Sequence, residues 1–441
     1  MKKILFLSIF ILINLVLRIY LSINEIPKGD ILVHQEWGKV LFQQGLSGSY
    51  FFQGWTYTPP TQPPLMMAGF YLSESIYQNR NLFSQLHNTI KLPPAFLLLG
   101  FQKYGQVLTL RLWETLFTYF IALTFFFYFS KKTSFLKSLL IFNLIIFNPI
   151  SLFTNSIWGQ NDILPTAFMY LSFLNIFSNF ILLSPIIFLI GILFKPTIAI
   201  LAPFFFCLFI KKYQKQAHSY RIIKLLLVFF SCLTVFWLSF KPFIPSNVDT
   251  VPYIASIINH RISTSSKGLN LASISAFNLY SLIFNIDQTY ATNQNSFFQL
   301  KDFALGLFIL INIFLIIKFF KTPKISFNHT LFYIFIISQT AFLFLTNMLD
   351  RYFIPGFISS IIIMVLYWKK FGLLMFLQQI IWLSNLIYAY YYRDNQLIFS
   401  LFRNYNFLLI RILSSLNLLV FFFVVKQSLY SKTFSPDIKI N

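Results

Sequence analysis

What limits this chain first is a succession of about a dozen apolar runs, at 1–23, 107–129, 135–153, 163–177, 180–210, 222–240, 303–317, 331–346, 353–368, 371–390 and 407–425, the fifth, 180–210, being broken in two. About 20 apolar residues in a helix cross the hydrocarbon of a bilayer, and a helix satisfies every backbone polar group internally. The expectation is an all-α polytopic membrane protein of about 12 transmembrane helices, forming one unit over residues 1–441. With 57% hydrophobic and 10% charged residues, no stretch is left over for a separate soluble domain.

The balance of 34 Lys and Arg against 12 Asp and Glu, a net +22, would suggest nucleic acid in a soluble protein. Here the basic residues stand in pairs at the ends of apolar runs, at Lys131-Lys132, Lys211-Lys212 and Lys369-Lys370. Such pairs read as cytoplasmic topology signals, which removes nucleic acid as a partner and puts the chain in a plasma (inner) membrane, in contact with lipids. The two cysteines, Cys207 and Cys232, both lie in apolar runs and indicate neither a disulfide nor a metal site.

Residues 1–23 have a basic start but no small-residue cleavage site, and are read as an uncleaved first span. An external segment, 24–106, follows, with short apolar patches at 65–77 and 95–101 expected to be helices lying at the outer interface. A second external segment covers 241–302. Between Lys131-Lys132 and Lys211-Lys212 the crossings must be even in number. They become so if 180–210 breaks at Lys195-Pro196, a charge followed by a residue with no amide hydrogen.

In that topology the polar residues gather on the outer side. Ser156 to Pro165 holds Trp158, Gln160, Asn161 and Asp162 between two apolar runs. A ring with an amide and a carboxylate suits a sugar, although an interfacial aromatic and an ordinary polar loop would look the same. Asp30, just after the first span, is either a general base or a helix cap, with His34 and Glu36 on the same short helix. Tyr57-Thr58-Pro59-Pro60 is a stiff aromatic turn. Lys195, Arg261, Arg351, Arg393 and Arg403 are external cations. Arg351 stands out because Asp350 can orient it and Tyr352 closes the turn. Asn278, in an apolar patch, needs the backbone or a ligand as partner. Arg111 and Glu114 sit in an apolar run at a helical i,i+3 spacing that suits a structural pair. The five histidines have no metal-ligand spacing and no phosphate-binding glycine loop is present.

This order of features resembles the polytopic glycosyltransferases of the GT-C fold that use polyprenyl-phosphate sugars, and within them the branch of the second mannosyltransferase of glycosylphosphatidylinositol assembly and its bacterial relatives. The resemblance runs through Asp30, Tyr57 to Pro60, Asn148-Pro149, Trp158-Gly159-Gln160-Asn161-Asp162, Phe194-Lys195-Pro196, Asn278-Leu279-Tyr280 and Asp350-Arg351-Tyr352-Phe353-Ile354-Pro355. It implies a GT-C-like bundle that transfers one sugar, a mannose-type hexose, with inversion. The donor would be a polyprenyl-phosphate sugar and the acceptor a hydroxyl of a lipid-linked or cell-surface glycan. By position, Asp30 would be the base. His34, Glu36, Tyr57, Trp158, Gln160, Asp162 and Asn278 would line the substrate site, and Lys195 and Arg351 would face the donor phosphate with Asp350 and Tyr352 in support. Asp30 is followed by Ile31 and Leu32 where many relatives have Asp-x-Asp, so a divalent metal is not indicated and no cofactor is assigned. Leu349-Asp350 stands where many relatives have His-Glu. The rival readings are a transporter or flippase of lipid-linked sugars and a noncatalytic glycan-binding protein of envelope assembly.

Overall fold

The computed structural model describes residues 2–25, 27–215, 221–262, 270–291 and 299–429. It is helical throughout, and among the described residues the only β contacts are two isolated bridges, Leu271 to Tyr290 and Ile274 to Leu349. The helices are α1 (Lys2–Asn24), α2 (Asp30–Gln44), α3 (Pro64–Gln78), α4 (Asn81–Ile90), α5 (Ala95–Ser130), α6 (Phe135–Ile146) and α7 (Pro149–Leu152). After these come α8 (Ile163–Ile176), α9 (Ser184–Phe194), α10 (Ala202–Tyr213), α11 (Arg221–Phe240), α12 (Thr250–Ile257) and α13 (Leu279–Ile283). The chain closes with α14 (Leu300–Lys321), α15 (Phe327–Phe344), α16 (Ile354–Leu366), α17 (Trp368–Tyr391) and α18 (Gln396–Leu429), the last kinked at Asn404 to Phe407.

Among the described residues, nine helical stretches are long and apolar enough to cross a membrane, and three apolar helices are shorter. Where about a dozen transmembrane helices were expected, the described residues thus hold nine stretches long enough to cross, and the apolar helices Ile163–Ile176, Ile181–Phe194 and Ile354–Leu366 are shorter. Hydropathy cannot separate the two kinds, because it registers transfer energy and not helix length.

One patch behaves differently from its sequence. Residues 95–101 are the first turns of α5, which runs 36 residues without interruption through 107–129. Gln102, Lys103 and Gln106 end the hydropathy window there, yet all three favour helix, so the backbone continues. The segment 24–106 thus gives its last part to a helix long and apolar enough to span a membrane. The other patch, 65–77, is α3, whose face of Met66, Met67, Phe70, Ser73 and Glu74 is buried. In the second segment, residues 270–278 are irregular and lead into the single turn of α13.

Two of the basic clusters, Lys131-Lys132 and Lys211-Lys212, meet at one end of the bundle. Lys132 rests 4.0 Å over the Tyr128 ring, Tyr128 lies 5.2 Å from Phe327, Phe327 5.8 Å from Phe177, and Lys212 4.4 Å over Phe177. Lys211 closes the same end by donating to the carbonyls of Phe319 at 3.0 Å and Thr322 at 2.8 Å. From this end α8 rises 14 residues to Asp162, roughly 21 Å at 1.5 Å per residue. That is less than the ~30 Å of a hydrocarbon slab, and Asp162, 4% exposed, lies in a recess of the bundle.

Two broken helices make this recess. The α6 helix stops at Asn148-Pro149, where the Asn148 side chain caps the Ile150 amide at 2.9 Å and leaves the Ile146 carbonyl without its helical partner. Asn14 and Arg18 of α1 donate to that carbonyl at 2.8 and 3.1 Å, and Arg18 also reaches Ser151 at 2.8 Å. A freed backbone group inside a membrane needs such a partner, which accounts for two buried polar residues in an otherwise apolar first span. The second break comes at Lys195, whose extended backbone separates α9 from the 3₁₀ turn Pro196–Leu201.

Candidate functional site

The loop from Trp158 to Asp162 is fixed before it meets anything else. A wide turn of π-helix, Phe153–Trp158, leads into Gly159 at φ +75°, a conformation that L side chains adopt only under strain. A Cβ on Gly159 would stand 2.6 Å from Ile31 Cδ1, so α2 packs directly on the glycine. The Gln160 amide then donates to the Thr154 carbonyl at 2.8 Å.

Around this loop four distant parts of the chain meet. Asp162 forms an ion pair with Lys195 at 2.7 Å and stands 3.7 Å from Arg351 Nε. Arg351 also lies 3.4 Å from Asp30 and 3.2 Å from Asp350. Gln160 donates to the Asp30 carboxylate. Asp30 does not serve as a helix cap: the residue capping α2 is Gly29, with no side-chain cap bond, and the Asp30 carboxylate points to Gln160 and Arg351 instead. Its side chain is 42% exposed, against 4% for Asp162 and 8% for Lys195. One carboxylate is open to an incoming group, and the other is locked between cations.

The electrostatics follow from that contrast. Burial works to raise the Asp30 carboxyl, but Arg351, His34, the Gln160 hydrogen bond and Lys195 outweigh it and hold the group below the ordinary aspartate value. Asp30 is therefore an ionised acceptor at neutral pH. Burial pushes the Asp350 carboxyl the other way, up to about 7, against the pull of Arg351 and with Asp30, Asp162 and Asp287 adding to the rise. Burial also opposes the charge on Arg351, but Asp350, Asp30 and Asp162 reverse the effect and hold its guanidinium firmly protonated. His34, buried and stacked 4.6 Å from Phe70, is pushed down to about 4 chiefly by burial and stands neutral beside Asn161 at 3.5 Å.

The remaining candidates have these surroundings. Trp158 is only 7% exposed, with Tyr390 at 5.2 Å and the Arg351 guanidinium 5.4 Å from its ring, so it backs the arginine. Glu36 accepts from the amides of Thr56 and Tyr57, fixing the aromatic turn to α2 together with Trp37, which donates to the Thr58 carbonyl at 2.8 Å. Tyr57 itself is 58% exposed. Asn278 caps α13 by accepting through Oδ1 from the Tyr280 and Ser281 amides, both at 3.1 Å, so the partner of its oxygen is the backbone, while its Nδ2 is buried without a hydrogen bond among the described residues. Asn385 ties that region to the site: it accepts from Phe277 N and donates to the carbonyls of Ser275 and Asp350. Tyr352 feels Arg351 and Asp162, and burial pushes its hydroxyl up to about 12.

Of the five cations named from the sequence, Lys195 and Arg351 come together. Arg403 pairs with Asp287 at 3.4 Å, Arg393 donates to the Tyr392 hydroxyl at 2.8 Å, and Arg261 lies over Phe51 at 5.1 Å. Arg111 and Glu114 are not a mutual pair. Arg111 donates to the Ser22 and Ile157 carbonyls at 2.7 and 2.9 Å, while Glu114 accepts from the Ile163 and Leu164 amides. Sequence spacing places the two on one helical face but does not say which backbone groups will need them. Among the described residues no group of three His, Cys, Asp or Glu is arranged to hold a metal ion.

An apolar cleft of about 280 Å³ opens beside the cluster, lined by Leu65, Met66, Gly69, Phe70, Leu72, Trp113, Phe117, Leu164 and Phe194. Its polar lining residue is Asn161, between Gln160 and Asp162 in the loop, while Asp30, Asp162, Lys195 and Arg351 do not line it. No family model matches the chain, and comparison with curated proteins found no relative.

Proposed function

We propose that this protein is a membrane glycosyltransferase of the polyprenyl-phosphate-sugar type. It moves a single sugar, a mannose-type hexose, to a hydroxyl of a lipid-linked or surface glycan at the external face of the plasma (inner) membrane. The observation that carries the reading is the pairing of a half-open ionised carboxylate, Asp30, with two buried cations, Lys195 and Arg351, in one recess. In the step envisaged, the acceptor oxygen attacks the anomeric carbon and its proton passes to Asp30. The bond from that carbon to the phosphate oxygen breaks, and its electron pair leaves on the phosphate, where Lys195 and Arg351 offset the charge. Attack opposite the leaving group inverts the anomeric centre. The apolar cleft ending at Asn161 supports a substrate with a hydrocarbon chain.

Gln160 holds Asp30 in place and leaves its second oxygen for the acceptor, while Asp350 and Trp158 steady Arg351. A transporter would need polar groups that change partners between two states. Arg111 and Glu114, the buried ionisable pair of α5, are instead tied to backbone groups, which favours the enzyme. The test is mass spectrometry of surface glycolipids from a strain lacking the gene. One glycan shortened by a single hexose is expected, and an unchanged glycan profile would overturn the proposal.

A further inference from the structure

The start of α8 presents a question of backbone accounting. The first amides of a helix have no partner within it and must find one elsewhere. Pro165 has no amide hydrogen, and the Thr166 amide reaches the Asp162 carbonyl at 3.4 Å, so the amides of Ile163 and Leu164 remain. An aspartate at the capping position ordinarily accepts from such an amide through its own side chain. Asp162 holds that position and makes no side-chain cap bond. Both amides donate instead to Glu114 of α5, at 2.9 Å to one carboxylate oxygen and 3.1 Å to the other. The Asp162 carboxylate is left to face Lys195 at 2.7 Å and Arg351 at 3.7 Å.

We propose that Glu114 is a positioning residue that caps α8 in place of Asp162 and thereby releases the Asp162 carboxylate to hold the two cations of the site. Glu114 is 1% exposed and its two oxygens match the two orphan amides, so it touches no space a substrate could enter. It acts through the loop. Arg111, one turn earlier on α5, holds the other end by the Ile157 carbonyl, and the loop from Trp158 to Asp162 hangs between the two. The identity of the anion that meets Lys195 and Arg351 rests on the function proposed above; the exchange of caps does not.

The consequence has a sign. In Glu114→Gln one acceptor oxygen remains and the amide nitrogen turns a donor toward a donor, which orphans one helix amide. The Leu164 amide is within the ordinary reach of an N-cap side chain, so Asp162 is drawn from the cations toward α8. Withdrawing an anion from Lys195 and Arg351 strengthens their hold on another. Glu114→Gln therefore tightens anion binding, whereas a residue that merely stabilised the fold would loosen it.

The experiment uses the full chain in lipid nanodiscs as wild type, Glu114→Gln, Asp162→Asn and the double variant. Binding of farnesyl phosphate and the thermal midpoint are measured on each. Asp162→Asn is expected to tighten binding by roughly tenfold, the scale of coupling between neighbours in one network. Glu114→Gln should tighten it several-fold, and the double variant should bind no better than Asp162→Asn alone. Weaker binding in Glu114→Gln, or effects that multiply in the double variant, would overturn the inference. If the wild type does not bind the probe, the proposed function is wrong, and the thermal midpoints then decide the positioning role. A double variant no less stable than Glu114→Gln supports it, and additive losses refute it. Should Glu114→Gln fail to fold, Glu114→Asp, which keeps a carboxyl but reaches one amide, carries the same expectations.

Discussion

Replacing Asp30 by Asn separates the chemical role of this carboxylate from its structural one. The amide has the same shape and keeps an acceptor oxygen for Gln160, but it cannot take a proton at neutral pH and no longer forms an ion pair with Arg351 at 3.4 Å. Because the Asp30 side chain is 42% exposed, solvent screens that pair, and its loss is worth about 1 kcal/mol of stability or less. Arg351 retains Asp350 at 3.2 Å and Asp162 at 3.7 Å, so no buried cation is stranded. General-base catalysis contributes ~10²–10⁴ in rate, or about 3–5 kcal/mol at the barrier. The variant is therefore expected to unfold within a few degrees of the wild type while sugar transfer from a polyprenyl-phosphate donor falls at least a hundredfold in kcat, with little change in donor KM. A folded Asp30→Asn protein with kcat within about threefold of wild type would refute the role of Asp30 as base.

Three further outcomes test the rest of the site. Lys195→Met removes the 2.7 Å partner of Asp162, which is 4% exposed, and leaves it only Arg351 at 3.7 Å, at a cost of up to about 3–5 kcal/mol in denaturant unfolding; adding Asp162→Asn is expected to recover most of it, and no recovery would show that the pair is incidental. Gly159→Ala puts a Cβ 2.6 Å from Ile31 Cδ1 on a backbone at φ +75°, and about 2–4 kcal/mol of destabilisation is expected, of which Ile31→Val relieves only the steric part. Asp350 has its carboxyl raised to about 7, so the stability it lends by staying protonated is complete below an unfolded value of about 3.9 and is lost as pH rises through 7. Affinity for an anionic donor should fall around pH 7, where the folded carboxyl gains the charge that neutralises Arg351, and Asp350→Asn should flatten that step in a pH titration of KM.

Much of the charged cluster was legible because polar residues set in apolar runs must find partners. Asp30, Gln160, Asp162, Lys195 and Arg351 are the ones that stood out in this way, and they lie together. The break at Lys195 followed from charge pairs that had to share one side and from a proline with no amide hydrogen. What could not be read were commitments decided by backbone geometry. Glu36 and Asn278 have the composition of ligand-binding residues, but each satisfies peptide amides that a linear pattern does not expose. Trp158 looked like a platform for a sugar, and its ring is taken up by Tyr390 and Arg351. The unbroken α5 was hidden because polar helix formers end a hydropathy window without ending a helix. Arg111 and Glu114 were visible as neighbours, but the Ile157 carbonyl and the Ile163 amide that they serve become orphans only once the helices on either side have stopped.

The most direct measurement incubates the purified full chain in proteoliposomes with radiolabelled polyprenyl-phosphate mannose and a panel of glycolipid acceptors, following both the sugar and the lipid phosphate. The account predicts one polyprenyl phosphate released for each sugar joined to an acceptor hydroxyl, with the anomeric configuration inverted. Passage of the intact labelled lipid across the bilayer, with no bond broken and no product formed, would contradict it.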